Sequence, residues 1–244
     1  MRALRILLVV VAILGVLFVI ADRVAVHFAE NEAADQVRSS EGLAATPDVT
    51  IHGFPFLTQV AGGELDDVEV GIKDYQASTG EDGRTIRIDD IEAHMKGVTF
   101  SGDYSSATAR TATGTATIGY DELLKAAKSE PTRVSRGVTA KVIGLSDGGN
   151  GKIRMQVDAT VLGIHLPRPV SVLSSVTVEG NSVRVHADSL PDLGIELAEN
   201  TVRSVTDFQQ TIEQLPGNVR LESVRAARDG LEISVRGSDV RLAG

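Results

Sequence analysis

The sequence predicts an α+β protein: a long, curved antiparallel sheet with amphipathic helices packed on one side, preceded by an N-terminal membrane helix. Three observations predict it. From about residue 48 onward apolar residues recur with period two, as in Val68, Val70 and Ile72. Clusters of Gly, Asn and Asp fall at regular intervals between such runs and read as hairpin turns. After residue 48 helical spacing returns in two segments, Asp121–Lys128 and Asn200–Leu215.

At the N-terminus Arg2 and Arg5 precede an uninterrupted apolar run of 16 residues, Ile6 to Ala21, which Asp22-Arg23 end. That length lies between the apolar region of a cleaved signal peptide and the roughly 20 residues of a comfortable membrane span. Val19 and Ala21 suit the small-residue positions of a cleavage site. Val24, Phe28, Ala29 and Ala33 carry an apolar stripe past Asp22, which favours an uncleaved anchor. Basic residues lie before the run and Glu30, Glu32 and Asp35 after it, so the N-terminus is expected in the cytoplasm and the bulk of the chain outside the cell membrane. Residues 1–22 are therefore expected as a signal anchor or signal peptide, 23–46 as a membrane-proximal helix and connection, and 47–244 as a single extracytoplasmic domain, secreted if the leading segment is cleaved.

The segment Ile51 to Gly63 sets Phe54 and Phe56, two of only nine aromatic residues (six Phe, three Tyr), around Pro55 and between glycines. Pro55 fixes its own φ and pushes Phe54 toward an extended conformation, which predicts a stiff, irregular loop rather than a helix or a central strand. Two readings stay open for its rings. The loop either plugs one end of a β core or presents an apolar lip to a ligand.

The first strand after the loop carries Val68, Val70 and Ile72 on one face. The next runs from Thr85 to Phe100 and resets its apolar face near Asp89-Asp90 and again at Gly97, which requires bulges. Thr-Ala alternation from Ala107 to Thr117 predicts a third strand, whose small side chains leave room for close approach. Asp121–Lys128 then forms a short helix, acids first and lysines last, in keeping with the helix dipole. Hairpins follow around Asp147–Gly151, Gly180-Asn181 and Asp229-Gly230. The last two share a weak internal repeat, Ser175-Val176 with Val183-x-Val185 and Ser223-Val224 with Leu231-x-Ile233. Between them Val202, Val205, Phe208, Ile212 and Leu215 mark a helix that ends at Pro216-Gly217.

Composition and motifs exclude several kinds of chemistry. A formal charge of −9 gives no basic field for nucleic acid, and the aromatics are not interleaved with Lys and Arg. The absence of cysteine excludes disulfides, thiol catalysis and Cys-ligated metals. Gly144-Leu145-Ser146-Asp147-Gly148 fits G-x-S-x-G, but a strand follows where a nucleophile elbow needs a helix, so the segment reads as a hairpin turn. His27, His52, His94, His165 and His186 are scattered without ligand spacing, and no metal or cofactor is expected. Asp66, Asp67 and Glu69, like Asp89, Asp90 and Glu92, read as solvated strand faces rather than acid–base pairs. No enzymatic activity is expected.

With catalysis set aside, the remaining resource is apolar surface. Gly53-Phe54-Pro55-Phe56-Leu57-Thr58-Gln59, followed by Gly63 and Val68-x-Val70 behind an N-terminal apolar helix, resembles the LmeA-like phospholipid-binding family of actinobacterial cell envelopes. Leu190-Pro191, the late helix and the Gly217–Val224 stretch add weaker support. The resemblance implies a non-enzymatic extracytoplasmic domain, similar to tubular lipid-binding folds, with an apolar groove for phospholipid and a role in envelope lipid or lipoglycan metabolism. Within that implication Val68, Val70 and Ile72 supply groove walls, and Phe54, Phe56 and Leu57 supply a lip. Arg168, between Pro167 and Pro169, is the one headgroup candidate, though it reads more readily as a solvated loop arginine. The competing function is a structural or interaction protein of the envelope, with a fully packed β core and no lipid.

Overall fold

A computed structural model of the chain describes residues 2–78, 85–102, 106–126, 132–135, 138–161, 164–165, 168–189, 206–211 and 218–243. It begins with one helix, α1 (Arg2–Glu41), then β1 (Asp48–His52), a short α2 (Phe56–Gly62), and the strands β2 (Glu64–Ser78), β3 (Thr85–Phe100) and β4 (Ala107–Gly119). The helix α3 (Tyr120–Ala126) leads into β5 (Thr132–Ser135), β6 (Val138–Gly149), β7 (Lys152–Val161), β8 (Ile164–His165), β9 (Val170–Glu179) and β10 (Ser182–Ser189). The remaining strands are β11 (Phe208–Thr211), β12 (Val219–Ala226) and β13 (Gly230–Ala243). The α+β class and the antiparallel strands are as the sequence predicts. The strands divide between two sheets, one six-stranded in the order β1-β2-β3-β4-β13-β12 and one seven-stranded in the order β11-β10-β9-β7-β6-β5, with β8 beside β7.

By its contacts the chain forms two compact units. The first comprises residues 1–72, 92–113 and 237–244; the second comprises 73–91 and 114–236. In the first, β1 pairs antiparallel with β2, placing Val49 opposite Val70 and Ile51 opposite Val68. Its core joins Val26 of α1, Ile51, Phe56, Leu65, Val98 and Ala109. As an edge strand, β1 leaves outward N–H groups to be satisfied, and the Glu30 carboxylate on α1 accepts the Ile51 N–H at 2.9 Å. On β3 the alternation breaks at Gly97, whose φ is +60° and beside which Val98 is buried as well, at one of the two expected face changes.

In the second unit β6 and β7 form a long hairpin with Asp147 opposite Ile153, and β9 and β10 form another with Glu179 opposite Ser182. Val157, Val172 and Val185 are fully buried, with the small residues Ala140, Ala159 and Ala187 between them. Ser146 lies within β6, opposite Arg154 on the returning strand, so the G-x-S-x-G match is hairpin backbone. The helix α3 carries Asp121 and Glu122 in its first turn and Lys125 in its last, as the dipole argument requires.

Three expectations need correction. Pro55 does not keep the following residues out of helix, because α2 starts at Phe56 with Pro55 as its N-cap. A proline ahead of the first turn removes no helical hydrogen bond, since that N–H has no acceptor within the helix. The stripe on α1 is rotated: Val26 and Ala34 are buried and Ala25, Ala29 and Ala33 half-buried, whereas Val24 and Phe28 are exposed. That buried face is the one which also brings the Asp22 carboxylate to the start of α2. Finally, Phe208 lies not on a helix but on β11, opposite Val185 of β10, where pairing with a sheet edge outweighs a helical apolar period. Ala127-Lys128, Leu190-Pro191, Val202, Val205, Ile212 and Leu215 lie outside the described residues.

Candidate functional site

The aromatic loop is built against α1. Gly53 has φ +101°, and a Cβ there would stand 2.5 Å from the Gln59 Nε2, so only glycine fits the bend. The Phe54–Pro55 peptide is cis. The Thr58 hydroxyl donates back to the Pro55 carbonyl at 2.8 Å, and the Gln59 Oε1 accepts the Asp66 N–H at 2.8 Å, closing the turn onto β2. Gly63, in the left-handed region, ends α2 with its N–H directed at the Gln59 and Val60 carbonyls.

The two rings part company at Pro55. Phe56 is 6% exposed and sits among Val26, Ile51, Leu65 and Val98; Phe54 is 58% exposed and Leu57 37%. The Asp22 carboxylate, on the last residue before Arg23, is completely buried. One of its oxygens accepts the Leu57 N–H at 2.8 Å, while the other meets the Arg23 guanidinium at 2.6 Å. An unpaired helix N–H and a buried charge are thus satisfied together. The Arg23 guanidinium in turn lies 5.3 Å from the centroid of the Phe54 ring, within cation–π range. Sequence reasoning missed Asp22 and Arg23. Their signal was a carboxylate placed immediately after an apolar run, where it must find partners or cost several kcal/mol.

The other expected site residues are placed as follows. Val68, Val70 and Ile72 on β2 are half-buried, and Val68 packs against the core of the first unit. Ala109 of the Thr-Ala strand is fully buried in that core. Arg168 is exposed and belongs to the second unit, whereas the aromatic loop belongs to the first.

The expectation that no histidine is paired with a carboxylate needs correction: His27 meets Glu30 at helical i,i+3 spacing, and the fold brings His52 and His94 to Glu69, His165 to Asp158 and His186 to Asp207, all within 2.7 to 3.8 Å. Among the described residues no group of three or more His, Cys, Asp or Glu side chains is arranged to hold a metal ion. Asp67 is half-buried, with one carboxylate oxygen enclosed and unpartnered, in contrast to exposed Asp66. In the second unit the Ser175 hydroxyl donates to Asp188 at 2.7 Å and Lys152 stands 3.1 Å away; these partners outweigh burial and hold the carboxyl below its ordinary range. Burial, with the charges of Asp147 and Asp229, pushes the Tyr120 hydroxyl up to about 12, and it donates to the Ala227 carbonyl at 2.8 Å.

A family model described as LmeA-like phospholipid-binding matches residues 20–236, most of the chain. No curated protein and no solved structure matches.

Proposed function

The chain belongs to the LmeA-like phospholipid-binding family, and from that premise we propose that it is a membrane-tethered protein which holds a phospholipid by its acyl chains outside the cytoplasm and acts in cell-envelope lipid or lipoglycan metabolism. That family is one of lipid binders and not of enzymes. The apolar helix with basic residues before it and acidic residues after it supports an N-terminus in the cytoplasm and the folded units beyond the membrane. Residues 1–22 then serve as the anchor, 23–46 continue and close its helix, and 47–244 carry the ligand.

The observation that carries this reading is the family match across residues 20–236. Half-buried Val68, Val70 and Ile72 serve as walls, with Phe54 and Leu57 as the exposed lip. Phe56 belongs to the core that supports the lip. Each methylene taken from water is worth about 0.8 kcal/mol, so an acyl chain needs few polar contacts to be retained.

Lipid analysis tests the proposal. The full chain, purified in a detergent free of phospholipid, is expected to retain phospholipid detectable by mass spectrometry and to take up a fluorescent phospholipid from vesicles. Lipid-free protein that takes up none would overturn it and favour the structural envelope role.

A further inference from the structure

We propose that Arg23, Phe54 and Leu57 form a contact site for the surface of the same bilayer that residues 6–21 enter, with Arg23 at the lipid phosphates and the two apolar side chains at the top of the acyl chains. This rests on the anchored reading above and adds where the lip is held and against what. The 16-residue apolar run rises about 24 Å at 1.5 Å per residue, short of the roughly 30 Å of a hydrocarbon core. The bilayer boundary therefore falls at or beyond Asp22-Arg23. That turn of α1 is where the structure fastens the aromatic loop.

Asp22 would be costly at such a depth, but it is enclosed by protein, bonded to the Leu57 N–H and paired with Arg23. Arg23 commits one nitrogen to Asp22 and one face to Phe54, remains 48% exposed, and keeps further N–H donors for a planar, two-point contact with a phosphate. Among the described residues beyond Ile20, the large apolar side chains that the first unit leaves exposed are Val24, Phe28, Phe54, Leu57 and Leu242. Val24 and Phe28 follow Arg23 on α1, and Phe54 and Leu57 are tied to the same turn. An aromatic ring with an arginine beside it and aliphatic neighbours around it is the composition that favours a membrane interface over water. The short span, the exposed apolar group and the free guanidinium edge all point to the lipid surface as the occupant.

The chain contains no tryptophan, so Phe54→Trp introduces a single indole probe. The full chain carrying it is reconstituted into phosphatidylcholine–phosphatidylglycerol vesicles, in which part of the phosphatidylcholine bears bromine on its upper acyl carbons. The indole is expected to emit to the blue, to be quenched by the brominated lipid and to be shielded from acrylamide in the water. Adding Arg23→Lys, which keeps a cation beside Asp22 but loses the planar two-point contact, is expected to weaken the bromine quenching and raise acrylamide access with the thermal midpoint held within a few degrees, and Arg23→Gln, which leaves the buried Asp22 without its cation, to abolish the quenching and lower the midpoint. An indole open to acrylamide and untouched by brominated lipid overturns the site; quenching unaffected by Arg23→Gln overturns the role of Arg23. Retained phospholipid with an unquenched indole would refute this inference alone, and quenching without retained phospholipid would refute the binding function alone.

Discussion

Phe54 and Phe56 stand two positions apart, and in sequence they are nearly equivalent: each is a ring beside Pro55 in a loop with glycines on both sides. The change from extended backbone at Pro55 to helix at Phe56 turns Phe56 inward to Val26, Leu65 and Val98 and leaves Phe54 beside Arg23. Phe56→Asp is expected to remove a packed ring and strand a charge in the core, at a cost of about 3–5 kcal/mol or more, and to unfold the first unit. Phe54→Asp is expected to move the thermal midpoint by no more than a few degrees while reducing lipid uptake. Thermal melts of both variants, read with the uptake of fluorescent phospholipid, check the pair; equal destabilisation would mean that both rings are core. That an aromatic loop existed was legible in the residues. Which ring it would bury was not, because the choice rests on a carboxylate 35 positions away in the chain, bonded to the Leu57 N–H.

Among the elements, the three hairpins formed where the sequence placed them. The Asp147–Gly151, Gly180-Asn181 and Asp229-Gly230 turns join β6 to β7, β9 to β10 and β12 to β13; in the first two, Gly149, Asn150, Gly151 and Gly180 take the left-handed conformation that commits the chain locally. The elements missed are short: β1, α2, β5, β8 and β11 have five, seven, four, two and four residues, too few for a period to show, and they form against partners already in place. The β9–β10 hairpin also carries a pH signature. Asp188 is held below its ordinary value of 3.8 by the Ser175 hydroxyl, against the opposing effect of burial, with help from Lys152. A carboxyl whose folded value is depressed contributes stability that is fully present above its unfolded value and is lost as the pH falls through the folded one. Asp188→Asn is therefore expected to lower the thermal midpoint at neutral pH, with the gap from the parent protein closing below about pH 3.8. Melts across an acid series check this, and a gap independent of pH would mean that the charge contributes nothing.

For the whole molecule, α1 is both a helix long and apolar enough to cross a membrane and a structural member. Residues 6–20 leave their apolar side chains exposed, whereas Asp22, Val26, Glu30 and Ala34 are built into the first unit. Deleting residues 2–21 is expected to leave the thermal midpoint of that unit nearly unchanged. Deleting 2–41 is expected to lower it sharply, because it exposes apolar core worth about 1.5–3 kcal/mol per large side chain and frees the Ile51 and Leu57 N–H groups. Comparative melts of the two truncations decide it. The sequence by itself determined the apolar N-terminal helix, the α+β class, the three hairpins and the family to which the chain belongs. Each of these follows from period, turn chemistry or a contiguous motif, all of them local properties. Only the tertiary structure decided that the strands form two sheets, that Phe56 is core while Phe54 faces outward, that His52, His94 and His186 meet carboxylates, and that Asp22 and Arg23 bind the aromatic loop to the end of the apolar run. Those outcomes depend on which groups far apart in the chain arrive at the same place, where buried donors and charges must find partners and apolar side chains must be covered, and no periodicity encodes that.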